Sequence, residues 1–202
     1  MSTLLVINSS AIVEGSVSRQ LVGEYVAAAK AANPALTVVT RDVGVSPLPH
    51  LLPDTVGALR RGDAATETER AARALSEAAI AELQAADTIV IGAPMYNFGI
   101  TSTLKAWIDH VLRAGVTFQY TANGPEGLVK GKRVVIIETR GGFYSEGPTK
   151  AYDAQEPHLR AALGLMGLTD VTFVRAEKLG FGDEARNAAV AAATEELRKL
   201  AA

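Results

Sequence analysis

The feature that most constrains the fold of this chain is the alternation of short apolar runs with longer helical patterns. Each run is brief, uninterrupted and rich in β-branched residues, which is typical of strands buried on both faces of a parallel sheet. Five such strands are predicted, at residues 3–8, 37–41, 87–91, 132–138 and 171–175. Five helices are predicted between and after them, at about 18–32, from 66, from 101, at 152–166 and from 183. This order indicates an α/β fold with a doubly wound parallel sheet, helices on both faces, and a single domain over residues 1–202.

Two of the predicted helices carry specific sequence signals. Thr66 is followed three residues later by Glu69, which is the pattern of a capping box at a helix start. The helix that follows would bury one side made of Ala72, Leu75, Ala79 and Leu83. The helix near Thr101 has an apolar stripe at helical spacing, made of Leu104, Trp107, Ile108, Val111 and Leu112. The stretch 43–65 is rich in proline, glycine and leucine, and a long surface excursion is predicted there.

Composition excludes several classes of function. A formal net charge of −2 and an isoelectric point near 6.0 provide no general attraction to nucleic acids or anionic membranes. The absence of cysteine excludes disulfides and thiolate chemistry, and the three histidines lack metal-ligand spacing. The first strand follows the N-terminus without a basic region or cleavage site, so no signal peptide and a cytoplasmic location are expected.

The first segment that could carry chemistry follows the first strand, at residues 8–18. It holds Ser9, Ser10, Ser16 and Ser18 ahead of the first helix. Hydroxyls and free backbone N–H groups at a helix N-terminus form an anion site, although a helix cap alone would need only one serine. The segment matches neither the phosphate-binding loop of nucleoside triphosphatases nor the glycine-rich fingerprint of Rossmann-type dinucleotide-binding proteins. Without lysine or arginine inside it, the loop is suited to a monophosphate.

Two further loops follow the third and fourth strands. Met95-Tyr96-Asn97-Phe98 would either tuck its aromatic rings into the core or form a platform for a flat conjugated ligand. Thr139-Arg140-Gly141-Gly142 would either make a tight turn or let a ligand approach the backbone closely. Because the carboxyl ends of parallel strands share one sheet edge, all three loops are predicted to meet there.

A fourth segment, residues 114–128, alternates through Val116, Phe118 and Tyr120 and then turns at Asn123-Gly124-Pro125. It is interpreted either as a surface hairpin or as a mobile or partner-facing loop that covers the site.

Three of these segments together resemble one family. They read PMYNF at 94–98, RAGVTFQYTANGPEGLVKGK at 113–132 and TRGG at 139–142. With Ser10 and the Ser16-Val17-Ser18 turn, they resemble the FMN-dependent NADH azoreductases, a group of flavodoxin-like quinone reductases, over essentially the whole chain. The resemblance implies a flavodoxin-like sheet with strand order 2-1-3-4-5.

The resemblance also implies a homodimer with one FMN per subunit at the interface. Its phosphate would be held by Ser10, Ser16, Val17 and Ser18. Its ribityl chain and ring would lie along Met95, Tyr96, Asn97 and Phe98, with Asn97 near the flavin N5. The pyrimidine edge would meet Thr139, Arg140, Gly141 and Gly142. The substrate pocket would be lined by Phe98, Phe143 and Tyr144, and by Phe118 and Tyr120 of the neighbouring subunit.

This chain departs from the family pattern at three places. Thr139 stands where serine is expected, Gly99 stands where a polar residue is common, and Phe143-Tyr144 is a variable pair. FMN binding is expected to survive these changes, whereas the choice of substrate is left open.

The activity implied by the resemblance is a ping-pong, two-electron hydride transfer. NADH and then a quinone or an aromatic azo compound would react in turn at the same bound FMN, with no acid–base residue and no metal. One alternative is a flavodoxin-type electron carrier without a substrate site, but such carriers tend to be strongly acidic and this chain has 20 basic against 22 acidic residues. A flavin-free regulatory protein of the same fold is a third interpretation.

Overall fold

A computed structural model describes residues 2–61 and 63–202. Its central sheet has five parallel strands, β1 (Thr3–Asn8), β2 (Thr37–Asp42), β3 (Thr88–Pro94), β6 (Arg133–Thr139) and β7 (Asp170–Ala176). A separate antiparallel hairpin is formed by β4 (Phe118–Thr121) and β5 (Gly124–Gly127). The sheet order is β2-β1-β3-β6-β7, which is 2-1-3-4-5 when only the strands of this sheet are counted. The predicted fold and strand order are confirmed.

Helices cover both faces of the sheet. They are α1 (Val17–Ala32), α2 (Pro53–Arg61), α3 (Glu67–Ala85), α4 (Ser102–Val111), α5 (Gln155–Met166) and α6 (Asp183–Ala201), with a 3-10 turn at Pro148–Tyr152. One apolar core joins the sheet to α3, α4 and α5, and the other joins it to α1 and α6. Successive strand residues such as Val6 and Ile7 enter opposite cores, so both faces are buried. No helix in the described ranges is long and apolar enough to cross a membrane.

The predicted capping box is confirmed, since Thr66 Oγ1 accepts from Glu69 N and the Glu69 carboxylate accepts from Thr66 N. The inner face of α3 differs from the prediction at Leu75, which is 41% exposed. Ser76 and Ile80 are buried instead, beside Ala72, Ala79 and Leu83.

The prediction of a surface excursion over 43–65 is wrong in part, because the segment contains α2 and contributes buried side chains to the core. Gly62 of that segment lies outside the described residues. Val43, Leu48, Ala58 and Leu59 are all buried. The helix was not predicted because it has only nine residues and carries Gly57, a poor helix former, in its interior. The described chain therefore has six α-helices where five were predicted.

The hairpin confirms the hairpin interpretation of residues 114–128, with one shift. Thr121 pairs with Gly124, so the turn residues are Ala122 and Asn123. A Cβ on Gly127 would lie 2.1 Å from the backbone nitrogen of Gly167, which shows how closely β5 approaches the end of α5. Gly167 precedes β7, so the base of the hairpin lies near the amino-terminal edge of the sheet.

Candidate functional site

The three loops that follow β1, β3 and β6 meet at the carboxyl-terminal edge of the sheet, because these strands are direct neighbours. Ser9 Oγ donates to the carbonyl of Gly92 at 2.7 Å, which joins the first loop to β3. The Met95 N–H donates to the carbonyl of Thr139 at 2.9 Å, which joins the second loop to the third. The predicted convergence of the loops is confirmed.

The first loop ends in an N-terminal helix turn with free donors. Ser16 caps α1, and its hydroxyl lies 3.2 Å from the hydroxyl of Ser18. Within the described chain, the N–H groups of Val17 and Ser18 have no acceptor. The first turn of α1 also contains no acidic residue that would neutralise the positive end of the helix dipole. Two hydroxyls and two amides therefore form a site for a small anion.

Arg19 holds this loop in place and takes no part in the anion site. Its guanidinium donates to the carbonyl of Ser10 at 2.7 Å, to the carbonyl of Ile12 at 3.0 Å, and to both oxygens of Asp42. The hydrogen bonds with Arg19 hold the pKa of the Asp42 carboxyl below its usual range. Gly44 completes the arrangement, since a Cβ there would lie 2.1 Å from the carbonyl oxygen of Ser10.

No local sequence pattern predicts the pairing of Arg19 with Asp42. The two residues lie 23 positions apart and meet only because β2 pairs with β1. We name Arg19, Asp42 and Gly44 the first clasp.

The second loop is a tight turn with its aromatic rings outward. Tyr96 and Gly99 exchange backbone hydrogen bonds of 2.9 and 3.1 Å, and the two residues between them have positive φ, +48° at Asn97 and +72° at Phe98. A left-handed phenylalanine costs about 1 kcal/mol or more, and such strain collects at functional sites. Phe98 is 48% exposed and Tyr96 36%. The interpretation that these rings are tucked into the core is therefore wrong.

Phe98 belongs to a group of three rings that sequence reasoning identified only in part. Its centroid lies 5.9 Å from that of Tyr144 in an edge-on arrangement and 5.7 Å from that of Tyr152. Tyr152 comes from the 3-10 turn, and its neighbour Ala154 donates its N–H to the Phe98 carbonyl at 3.0 Å. We call Phe98, Tyr144 and Tyr152 the aromatic cluster.

The third loop has free glycine N–H groups on a backbone that hydrogen bonds hold in place. The N–H groups of Lys178 and Gly180 donate to the carbonyls of Gly142 and Gly141 at 2.8 and 2.9 Å. In the described ranges, the N–H groups of Gly141 and Gly142 have no acceptor, and the Thr139 hydroxyl forms no hydrogen bond. Those three donors are therefore free to bind a ligand.

Phe143, which follows these glycines, has the Lys178 ammonium 4.3 Å from its ring centroid. A Cβ on Gly142 would lie 2.8 Å from the Tyr144 ring, so that ring lies directly over the loop backbone.

The side chain of Arg140, the residue before these glycines, is directed into the protein. Its fully buried guanidinium faces Glu138 at 2.7 Å, Asp153 at 3.0 Å and Glu177 at 3.3 Å, and its Nε donates to Gln155. Its backbone N–H is bonded to the carbonyl of Ala176. Because these groups are engaged within the chain, we do not assign Arg140 as a direct cofactor ligand. We name Arg140 with its four partners the buried hub.

Glu138 has an unusual ionisation within this hub. Burial raises the pKa of its carboxyl to about 7, because desolvation outweighs the attraction of Arg140 and Arg175 and the nearby Glu156 carboxylate adds repulsion. Its Oε1 is buried without a hydrogen-bond partner in the described structure.

Phe118 and Tyr120 are not brought to the other site residues of the same chain. Their rings pack against each other with centroids 5.5 Å apart, and Tyr120 is 77% exposed. They lie on the hairpin, whose base is near the amino-terminal edge, whereas the three loops lie at the carboxyl-terminal edge. Within one chain the hairpin therefore does not cover the site.

The remaining residues fit FMN. Ser16, Val17 and Ser18 offer hydroxyls and amides without a fixed positive charge, as a monophosphate needs, and the buried Ser10 lies in the same loop. An exposed turn at 96–98 offers aromatic surface, and the glycine amides offer donors for a heterocycle edge. The side chain of Val17 packs into the core, so only its backbone is available to a ligand.

Comparison with known proteins agrees with this chemistry. The sequence profile of a family with a flavodoxin-like fold matches residues 2–201. An FMN-dependent NADH:quinone oxidoreductase of Hyphomonas neptunium is 54% identical over 201 residues, which are 100% of this chain and 96% of that protein. One from Azotobacter vinelandii is 51% identical over 202 residues, the full length of both chains.

Solved structures give the same assignment. An azoreductase from Bacillus anthracis superposes with a TM-score of 0.92 at 31% identity, covering 100% of this chain and 99% of that one. An FMN-dependent NADH-azoreductase from Bacillus anthracis, in complex with FMN, superposes with a TM-score of 0.89 at 25% identity over all of both chains. The chain therefore belongs to the flavodoxin-like family that contains the FMN-dependent NADH:quinone oxidoreductases.

Proposed function

We propose that this protein is an FMN-dependent NADH:quinone oxidoreductase that also cleaves aromatic azo compounds reductively. The observation that carries the proposal is the convergence, at one sheet edge, of the α1 anion site, the exposed turn at Asn97-Phe98 and the free amides of Gly141 and Gly142. These are the three elements that a flavin mononucleotide requires, namely a phosphate site, a ring platform and donors for the ring edge.

FMN, when bound, supplies the redox chemistry by taking a hydride equivalent from NADH and passing two electrons to the acceptor. Ser10, Ser16, Val17 and Ser18 hold its phosphate. Met95, Tyr96, Asn97 and Phe98 orient its ribityl chain and ring, with Asn97 near the flavin N5. Thr139, Gly141 and Gly142 hold the pyrimidine edge, where their donors favour developing negative charge. No side chain is assigned as a general acid or base, and no metal takes part.

The same aromatic surface serves both substrates in turn. Phe98, Phe143 and Tyr144 form the wall against which NADH and then a flat quinone or azo acceptor pack. Their rings exclude water from the reacting face and offer little discrimination by hydrogen bonding, which suits acceptors of varied structure.

We further propose that the protein is a homodimer of single-domain chains (residues 1–202) in the cytoplasm, with each FMN at the subunit interface. Phe118 and Tyr120 support the interface, since they are remote from the loops of their own chain and Tyr120 is largely exposed. They would line the substrate pocket of the partner.

Steady-state turnover tests the activity. Under anaerobic conditions, the protein reconstituted with FMN should oxidise many equivalents of NADH per subunit only when a benzoquinone or an azo dye is present as acceptor. A protein that retains FMN yet turns over neither acceptor would favour the alternative of an electron carrier. A protein that never binds FMN would contradict the site assignment.

Subunit mixing tests the interface. A Ser16→Ala/Ser18→Ala chain and a Tyr120→Ala chain should each be weakly active alone. Hybrid dimers should regain one intact site, because both defects then fall in the other site. Gel filtration as a monomer, or no gain on mixing, would contradict the shared site.

A further inference from the structure

Glu177 lies immediately after β7 and bonds the loop that carries Tyr144. Its Oε1 accepts from the N–H of Tyr144 at 2.8 Å and from the N–H of Ser145 at 3.1 Å. Its Oε2 accepts from the hydroxyl of Ser145 at 2.5 Å. One carboxylate thus fixes two consecutive residues of a loop that has no regular secondary structure.

The buried hub connects this carboxylate to the other two members of the aromatic cluster. Arg140 bridges Glu177 and Asp153, and Asp153 directly follows Tyr152. Gln155, which binds Arg140, also donates to the carbonyl of Ala93 at 2.8 Å, at the base of the turn that carries Phe98. The three segments that supply the rings are therefore tied to one guanidinium.

Glu177 is the member of the hub that reaches the loop of Tyr144 directly. In the described structure the amides of Tyr144 and Ser145 have no acceptor other than Glu177. The hydroxyl of Thr149 also holds this loop, but it donates to the carbonyl of Phe143, the residue before Tyr144. Without the carboxylate, the Tyr144 ring keeps its contacts with Gly142 and Phe98, but the backbone N–H groups of Tyr144 and Ser145 lose their acceptor.

We propose that Glu177 is a positioning residue that sets the place of the Tyr144 ring and thereby the size of acceptor that the enzyme accepts. The proposal rests on the proposed function, because it takes Tyr144 as part of the acceptor wall. Its chemical consequence is specific. A one-ring quinone rests mainly on the cofactor, whereas a two-ring azo compound extends further and depends on the aromatic cluster.

The test compares Glu177→Ala with Glu177→Gln and with a matched control, Glu156→Ala. Glu156 is paired with Arg160 and Arg175 near the same hub, and in the described part of the chain it forms no hydrogen bond with the loop that carries Tyr144. For Glu177→Ala, kcat/KM with a two-ring azo dye should fall roughly 10-fold through KM, while that with benzoquinone stays within about 3-fold, since small displacements of positioning groups reduce rates by factors of this order. Glu177→Gln keeps an oxygen for both amides and should restore most of the loss, and Glu156→Ala should keep the wild-type ratio.

A second measurement is independent of turnover. Hydrogen exchange in the FMN-free protein should be faster for peptides covering 143–147 in Glu177→Ala than in wild type or Glu156→Ala. If Glu177→Ala does not fold, Ser145→Ala, which removes only the hydroxyl bond, should shift the acceptor ratio about 3-fold in the same direction.

An equal loss with both acceptors, or an unchanged ratio in all variants, overturns the proposal. Unchanged exchange at 143–147 overturns it as well. Failure of the proposed function is a separate outcome, since the wild-type protein would then reduce neither acceptor while the exchange experiment remains readable.

Discussion

Two arginines hold loops at the same edge of the sheet, but one side chain is partly exposed to solvent and the other is fully buried. Arg19, in the first clasp, has a side chain 16% exposed and donates to two backbone carbonyls and one carboxylate, Asp42. Arg140, in the buried hub, is completely enclosed and faces three carboxylates. Arg19 holds the loop whose hydroxyls and amides can bind an anion. Arg140 connects the three segments that carry the rings of the aromatic cluster.

The difference shows how a site without catalytic side chains is built. The Arg19 guanidinium brings no charge to the anion site, because it is engaged by two backbone carbonyls and by Asp42. Charge in the hub lies behind the loops, where it orders them.

The largest effect is expected on replacing Arg140 by methionine. The change leaves the carboxylates of Glu138, Asp153 and Glu177 close together without their shared cation. Breaking a buried ion pair in this way costs about 3–5 kcal/mol of unfolding free energy. Urea unfolding measures the loss, and a change below about 1 kcal/mol would show that the hub does not order the site.

The next effect is the pH dependence that Glu138 gives to the hub. Its folded pKa of about 7 lies above the ordinary value of 4.5, so between these pH values the folded state holds a proton that the unfolded state has lost. The free energy of unfolding should therefore fall as pH rises across this window, by up to about 1.4 kcal/mol per pH unit, and level off above it. Urea unfolding at pH 5, 6, 7 and 8 should show this decline flattened in Glu138→Gln, and parallel profiles would contradict it.

The first clasp should respond to pH with the opposite sign. The pKa of Asp42 is lowered from 3.8, chiefly by hydrogen bonds from Arg19, so its stabilisation is complete above that value and is lost as pH falls through the folded pKa. Asp42→Asn should therefore lower the free energy of unfolding at pH 7. It should leave that free energy unchanged at a pH below the folded pKa of Asp42.

The anion site itself is tested by Ser16→Ala/Ser18→Ala. Hydrogen bonds to a charged group contribute about 1.5–3 kcal/mol, so the affinity for FMN should fall roughly 10- to 100-fold. Thr66→Ala is the control, because it removes a helix cap of the same kind from α3 at another place. The control should lose stability but keep its affinity for FMN, measured by fluorescence titration, and equal affinities in all three proteins would contradict the phosphate assignment.

The smallest effect is expected for Arg19→Met. The guanidinium is partly exposed, so solvent screens its pair with Asp42 and the loss of stability should be about 1 kcal/mol. FMN affinity should fall by less than in the double serine variant, since the donors of Ser16 and Ser18 remain. A loss larger than that of Arg140→Met would reverse the comparison between the two arrangements.

The fold could be predicted from sequence because its signals are local. Apolar runs such as Val134–Ile137 report a buried strand directly, and Thr66 with Glu69 reports a helix start. The helix α2 was not predicted, since it is only nine residues long with Gly57 in its interior, and its contact with α3 exists only in the folded chain.

The site could be predicted only where its residues lie together in one short segment of the sequence. The serines and the glycine loop were identified, but the engagement of the Arg140 side chain in the buried hub was not predicted, because its partners Asp153, Gln155 and Glu177 lie 13 to 37 residues away and meet it only in the folded chain. Tyr152 was likewise missed, since its contact with Phe98 depends on the 3-10 turn at Pro148–Tyr152.

The oxidoreductase activity is tested most directly by the visible spectrum of the FMN-loaded protein under anaerobic conditions, before and after NADH is added. The flavin band should bleach with about one equivalent of NADH per subunit and return when benzoquinone is added. A flavin band that NADH leaves unchanged would contradict the oxidoreductase and favour the electron carrier.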